Sequence, residues 1–236
     1  KPRLWTKGFI LDTLVNFLIY IIYYMLMVII ASEAIHSLHA SMSEAGLASG
    51  IFILGTLVAR LFAGRSVELY GRRKMLFAGI LFYLATTFMY FGIHSMAMLY
   101  LVRCLNGIGY GIASTATSTI VSTMIPAERR GEGINYYALS MSLAAAIGPF
   151  IGMLMQQIFP FKDIIYFCIA MIVVCLGAAA VMHVEEMELT EEHRAALKEI
   201  HIANFLEPKV TAISIVAFCV AVCYSSVLSF LASYAA

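Results

Sequence analysis

The chain has 236 residues, 62% of them hydrophobic and only 12% charged, with a mean hydropathy of +0.90 and a net charge of +1. A soluble domain carries about 25% charged residues; with half that share the chain cannot cover a folded surface with polar groups, and lipid must cover the rest. No basic run tracks a phosphate backbone, which leaves out nucleic acid as a partner. The five cysteines lie in apolar stretches without a CxxC pair, suggesting neither a zinc site nor a disulfide frame.

A helix needs about 20 apolar residues to cross the hydrocarbon core. The first such stretch is predicted over 8–31, too long for a signal peptide and without its cleavage motif. A polar loop follows with Glu33, His36, His39 and Glu44; its HxxH reads as solvated loop rather than as a metal site. The second span covers 45–63, a basic turn covers 64–74, the third span covers 75–93, and the fourth covers 96–125. Pro126 stops that helix, and the charged loop 126–133 leads to a fifth span over 134–159 and a sixth over 164–183. The acidic segment 184–208 reads as a short surface helix with Thr190 as its N-cap, and a seventh apolar stretch begins near Val210.

Lys and Arg accumulate on the cytoplasmic side of a membrane protein. Alternating loops put Lys1, Arg3, Lys7, Arg65, Arg72, Arg73, Lys74, Arg129, Arg130, Arg194, Lys198 and Lys209 on one side, and Lys162 alone on the other. This asymmetry predicts a multi-pass protein of the cell membrane with the amino terminus and the segment 184–208 in the cytoplasm. Arg60 and Arg103 fall inside spans.

Three motifs carry more specific information. The turn after the second span reads Gly64-Arg-Ser-Val-Glu68-Leu-Tyr-Gly71-Arg72-Arg73-Lys74. Its glycines allow close helix approach or a positive φ, and its acid can pair with a cation or cap a neighbouring helix end. The fourth span holds Arg103 about 10 Å below the surface at 1.5 Å per residue, where a cation faces a cavity or a partner. The fifth span holds Gly148, Pro149 and Gly152, a proline kink flanked by small residues.

The turn at 64–74 resembles the signature loop of the major facilitator superfamily, with Glu68 in place of aspartate and Leu69 in place of a basic residue. The Arg103-x-x-x-Gly107 pattern is similar to one linked to proton transfer in that family, and Ala144 to Gly152 looks like the antiporter signature of its exporting members. The resemblance implies an all-α integral membrane fold: a six-helix N-terminal bundle over 1–183, a cytoplasmic linker over 184–208, and the first helix of a C-terminal bundle over 209–236. It implies a proton-coupled drug:proton antiporter-like exporter working by alternating access. The partners it implies are the bilayer, a small-molecule substrate, protons and a further C-terminal six-helix half; no cofactor or catalytic residue is expected. A switch loop of Gly64, Glu68, Gly71, Arg72 and Arg73 follows, with proton coupling through Arg103 and Asp12 or Glu33.

Beside the resemblance, Asp12, Asn16, Tyr20, Tyr23 and Met27 recur at helical spacing and form one stripe, as do Arg103, Asn106, Tyr110 and Thr117. Polar residues in apolar helices face a bundle interior, so Asn16, Tyr20, Tyr23, Asn106 and Tyr110 are the expected cavity lining. Asp12 lies near the helix start and could instead reach water. Import of a small metabolite by a facilitator or symporter, and a non-transporting sensor or scaffold, remain as alternatives.

Overall fold

Each helix begins and ends on an identifiable local signal. Helix α1 (Lys7–Leu38) opens where the Thr6 hydroxyl accepts the Phe9 amide, and it closes at His39, a left-handed residue whose amide donates to the Ala34 carbonyl. Helix α2 (Met42–Tyr70) opens on a capping box in which Ser41 and Glu44 satisfy each other's backbone amides. A single residue, Gly71, separates α2 from α3 (Arg72–Phe88); its φ of 99° favours glycine. Helix α3 runs into a 3-10 turn, Met89–Gly92, and Ser95 caps α4 (Met96–Met124) by accepting the Met98 amide. After Pro126, a 3-10 turn (Ala127–Arg129) leads into α5 (Arg130–Ile158), and Pro160 precedes α6 (Phe161–Val181).

This computed structural model describes residues 3–184, 186 and 210–234, with side chains through 223. Residues 1–189 form one compact unit. A second unit, 190–236, contains α7 (Thr211–Tyr234), an apolar helix where the seventh stretch was expected. The surface helix expected to start at Thr190 lies outside the described residues.

The helices overrun the predicted spans. Glu33 and His36 belong to the last turns of α1 and Glu44 to the first turn of α2, so the polar loop shrinks to a few residues. The expected basic turn is helical through Tyr70, and the expected loop at 126–133 is already α5 from Arg130. Hydropathy marks where hydrocarbon ends, whereas a helix ends where its backbone groups find other partners; capped turns therefore continue into water.

Helix α4 packs against α2 and α3, and α1 packs against α5 and α6; α1 also meets α4, and α3 meets α6. Exchanging α1 with α4, α2 with α5 and α3 with α6 maps these contacts onto one another, although α1 also packs against α2 and α4 does not pack against α5 to the same extent. Two three-helix repeats of this kind place their first helices, α1 and α4, at the centre. The closest crossings use small residues, since helices in lipid associate by packing rather than by hydrophobic burial. A Cβ on Gly55 would lie 2.1 Å from the Cys104 carbonyl oxygen, and one on Gly107 would lie 2.1 Å from that of Phe52. At the matching α1–α5 crossing, Gly148 abuts Tyr24 and Gly152 abuts Met25. Pro149 sits between them inside α5 without ending it.

Large apolar side chains face outward, among them Leu54, Leu57, Leu61 and Phe62 on α2 and Leu139, Leu143 and Phe150 on α5. Among the described residues, six helices are long and apolar enough to cross a membrane.

Candidate functional site

Arg103 is the largest fully buried side chain. Its Nε donates to the Ala48 carbonyl at 3.1 Å, and its Nη1 donates to the Tyr90 hydroxyl at 3.3 Å. Its guanidinium carbon stands 4.5 Å from the centre of the Phe52 ring, within cation–π range. Nη2 has no hydrogen-bond partner among the described residues. Tyr90 passes the connection on: its hydroxyl donates to Asn106 Oδ1, and Asn106 Nδ2 donates to Thr86 and Thr87, each at 3.1 Å. Arg103 and Asn106 thus occupy a closed polar core between α2, α3, α4 and the 3-10 turn, rather than an open wall.

The wall itself is aromatic. Tyr23 stacks on Phe52 at 5.0 Å and lies 5.2 Å from Tyr110, which also meets Tyr20 at 5.4 Å. Tyr20, Tyr23 and Tyr24 are half-buried and Met27 is exposed, so these side chains keep an open face, whereas Tyr110 is buried behind them. Exposed Arg60 lies within electrostatic reach of the Tyr23 and Tyr110 hydroxyls. An aromatic surface beside a cation suits amphipathic organic molecules.

A second polar core joins α1, α4 and α5. Asn16 donates to Ser140 at 3.3 Å and accepts from Thr117, and Tyr137 donates to Thr117 at 3.1 Å. Asn16, expected in a cavity lining, is buried here and holds three helices together. Asp12 lies near the same end, does not reach water, and is fully buried, with neither carboxylate oxygen partnered among the described residues. A charge in that setting costs several kcal/mol unless it is protonated or meets a cation.

Arg103 does not meet Asp12. It bonds to Ala48, and the neighbouring Ser49 bonds to the Met27 carbonyl, which sets Arg103 near the level of Met27. Fifteen residues of α1 separate that level from Asp12, roughly 22 Å at 1.5 Å per residue. Glu33 lies toward the far end of α1, where its carboxylate accepts from Ser37 at 2.6 Å.

In the switch loop, Glu68 is exposed and has no hydrogen bond among the described residues, and a Cβ on Gly64 would meet nothing within 4 Å. The acid that caps α3 is Glu186, just past α6: its two oxygens accept the Arg72 and Arg73 amides at 2.8 and 3.0 Å. A carboxylate there offsets the positive end of the helix dipole. Arg73 adds a bond to the Ala180 carbonyl at 3.0 Å, which ties the loop to α6.

Sequence reasoning missed Tyr90 and Glu186 as structural partners. Tyr90 carries no local signal. For Glu186 a signal existed: an acid directly after the sixth span, on the side that holds the basic turn.

The Major Facilitator Superfamily model matches residues 13–236. The chain belongs to that superfamily. It is similar, at 29% identity over 132 residues, to an uncharacterized MFS-type transporter of Methanocaldococcus jannaschii, covering 56% of this chain and 34% of the relative. It is 23% identical over 184 residues to multidrug resistance protein 2 of Bacillus subtilis, covering 77% of this chain and 46% of that protein. The chain thus spans less than half the length of these relatives. Its fold matches the crystal structure of a peptide transporter POT in complex with sulfate, with a TM-score of 0.66 at 18% identity, over 95% of this chain and 46% of that one. A D-xylose-proton symporter matches with a TM-score of 0.58 at 14% identity, over 76% of this chain and 48% of that one. The superfamily match and the six apolar helices make this a multi-pass membrane protein with the architecture of the superfamily's N-terminal bundle.

Proposed function

We propose that this chain supplies the N-terminal half of a secondary active transporter that exports small organic solutes in exchange for protons. Residues 1–183 are the first bundle, 184–208 a cytoplasmic linker, and 209–236 the start of a second bundle that completes the pathway. The amino terminus lies in the cytoplasm of the cell, as the distribution of Lys and Arg supports. The observation that carries this reading is Arg103: a fully buried cation, without an acidic partner among the described residues, set beneath an open aromatic wall. Intramembrane charges of this kind mark solute and proton pathways.

In this reading Tyr20, Tyr23 and Tyr24 offer stacking faces to the solute, and Tyr110 backs them. Arg103 and Asp12 act at different depths, so protonation of Asp12 and the arrangement around Arg103 are separate steps rather than one ion pair. Gly148, Pro149 and Gly152 let α5 slide on α1 during alternating access, and Gly64, Glu68, Gly71, Arg72 and Arg73 form a cytoplasmic latch, with Glu186 holding its α3 side. The drug-resistance function named for the Bacillus subtilis relative supports efflux.

The test uses proteoliposomes containing the chain together with a C-terminal six-helix half, with ethidium as reporter and an imposed proton gradient. Gradient-driven ethidium movement is expected, and Arg103→Ala should abolish it. Unchanged flux in the variant would overturn the role of Arg103. Uptake along the gradient would favour import by a symporter, and movement independent of the gradient would favour a facilitator.

A further inference from the structure

A cavity of about 410 Å³ opens at the end of the bundle remote from the basic loops. Its lining comes from the last turns of α1, the 3-10 turn after α3, the first turn of α4 and the start of α6. Small-molecule sites fall in the range of about 300–1,000 Å³. Most of the wall is apolar, including Ile30, Leu99 and Phe161. Two charges interrupt it, Glu33 from α1 and Lys162 from α6. Among the described residues these two form no ion pair with each other, and Lys162 has no hydrogen-bond partner. Lys162 is also the one cation that the alternation of loops leaves on this side.

Ser37, also in the lining, already donates to Glu33 at 2.6 Å, and Lys162 is exposed, so a guest with one charge would engage one of these groups and leave the other to its present surroundings. A dianion would meet Glu33 and a dication would meet Lys162, each with repulsion. A guest carrying both signs satisfies both through charge-assisted hydrogen bonds, which are about twice as strong as neutral ones. We propose that this cavity binds a zwitterionic amphiphile. Its primary ammonium donates to Glu33, its phosphate or carboxylate accepts from Lys162, and its apolar body lies on Ile30, Leu99 and Phe161.

The cavity also reaches the buried core. Tyr90 lines it, with its ring 6.2 Å from that of Phe161, while its hydroxyl accepts from Arg103. Occupancy therefore bears on the residue that positions the Arg103 guanidinium. The site stands whether or not the bundle transports, since its groups belong to this chain alone.

Two sources present this chemistry at a membrane surface: a phosphatidylethanolamine headgroup and a free amino acid such as phenylalanine. The chain is purified in detergent and offered phosphatidylethanolamine, phosphatidylcholine and phosphatidylglycerol in native mass spectrometry. In parallel, its melting temperature is measured with phenylalanine. Retention of phosphatidylethanolamine about tenfold above the other two lipids, lost in Glu33→Gln and Lys162→Gln, assigns the site to a lipid headgroup. The quaternary ammonium of phosphatidylcholine has no N–H to donate, so it serves as the control. Stabilisation by phenylalanine in the wild type alone, without lipid preference, assigns it to a soluble zwitterion. The exchange variant E33K/K162E keeps both charges and is expected to regain binding that either single variant loses. Equal binding in wild type and single variants overturns the proposal, as does an exchange variant that melts like wild type yet binds nothing.

Discussion

Gly107→Ala tests how tightly the site depends on helix packing. The added Cβ would lie 2.1 Å from the Phe52 carbonyl oxygen, where ordinary contact begins at 3.4 Å, so α2 and α4 must part by about 1.3 Å. Backbone faces backbone here, so no side chain can swing away; overpacking of this kind costs about 1–3 kcal/mol. The same opening stretches the bond from Arg103 Nε to the Ala48 carbonyl, now 3.1 Å, beyond the limit of about 3.5 Å for a useful hydrogen bond. Gly64→Ala is the internal control: its Cβ meets nothing within 4 Å, and alanine gains about 0.5–1 kcal/mol over glycine inside a helix. Thermal unfolding followed with a thiol-reactive dye reads both variants, since Cys168 and Cys175 are buried in the folded bundle. Gly107→Ala should melt below wild type and Gly64→Ala at or above it. Gly107→Ala melting at or above wild type would refute the close crossing of α2 and α4 and the geometry drawn from it for Arg103.

Three further substitutions test other parts of the fold. Glu186→Ala removes the cap of α3, a loss of about 1 kcal/mol, and hydrogen exchange at the first amides of α3 should quicken while α4 is unchanged. Ser41→Ala dismantles the capping box of α2 and should cost about 1 kcal/mol, visible as a lower melting temperature. Asn16→Leu leaves polar groups of α1, α4 and α5 short of a buried partner and should cost about 1–3 kcal/mol; a variant as stable as wild type would show that the three-helix network contributes nothing.

The six spans were legible because each is a long, predominantly apolar run, which is what a helix needs to cross hydrocarbon. Their ends were less legible. The continuation of α1 through Glu33 and of α2 through Tyr70 depends on capping, and polar turns read as loops on a hydropathy scale. The polar stripes pointed to the interior, as Asn16 and Asn106 show, but periodicity does not separate a closed network from an open wall. Both asparagines lie in the former, while Tyr20 and Tyr23 keep an exposed edge. The switch loop shows the same division. Its glycine at 71 was readable, but the acid that caps it stands more than a hundred residues away, at Glu186.

Composition, charge distribution and local motifs determined by themselves that this chain spans a membrane as a bundle of apolar helices with a buried arginine. Those properties are additive along the chain and need no partner to be read. Only the tertiary structure decided which groups meet: Arg103 with Tyr90 and Phe52 rather than with Asp12, and Asn16 with Ser140 and Thr117; it also set Glu33 and Lys162, without contact, in the lining of one cavity. Contacts between helices depend on how closely they cross and at what rotation, and that is set by small residues such as Gly55 and Gly107 acting in pairs that no single stretch of sequence contains.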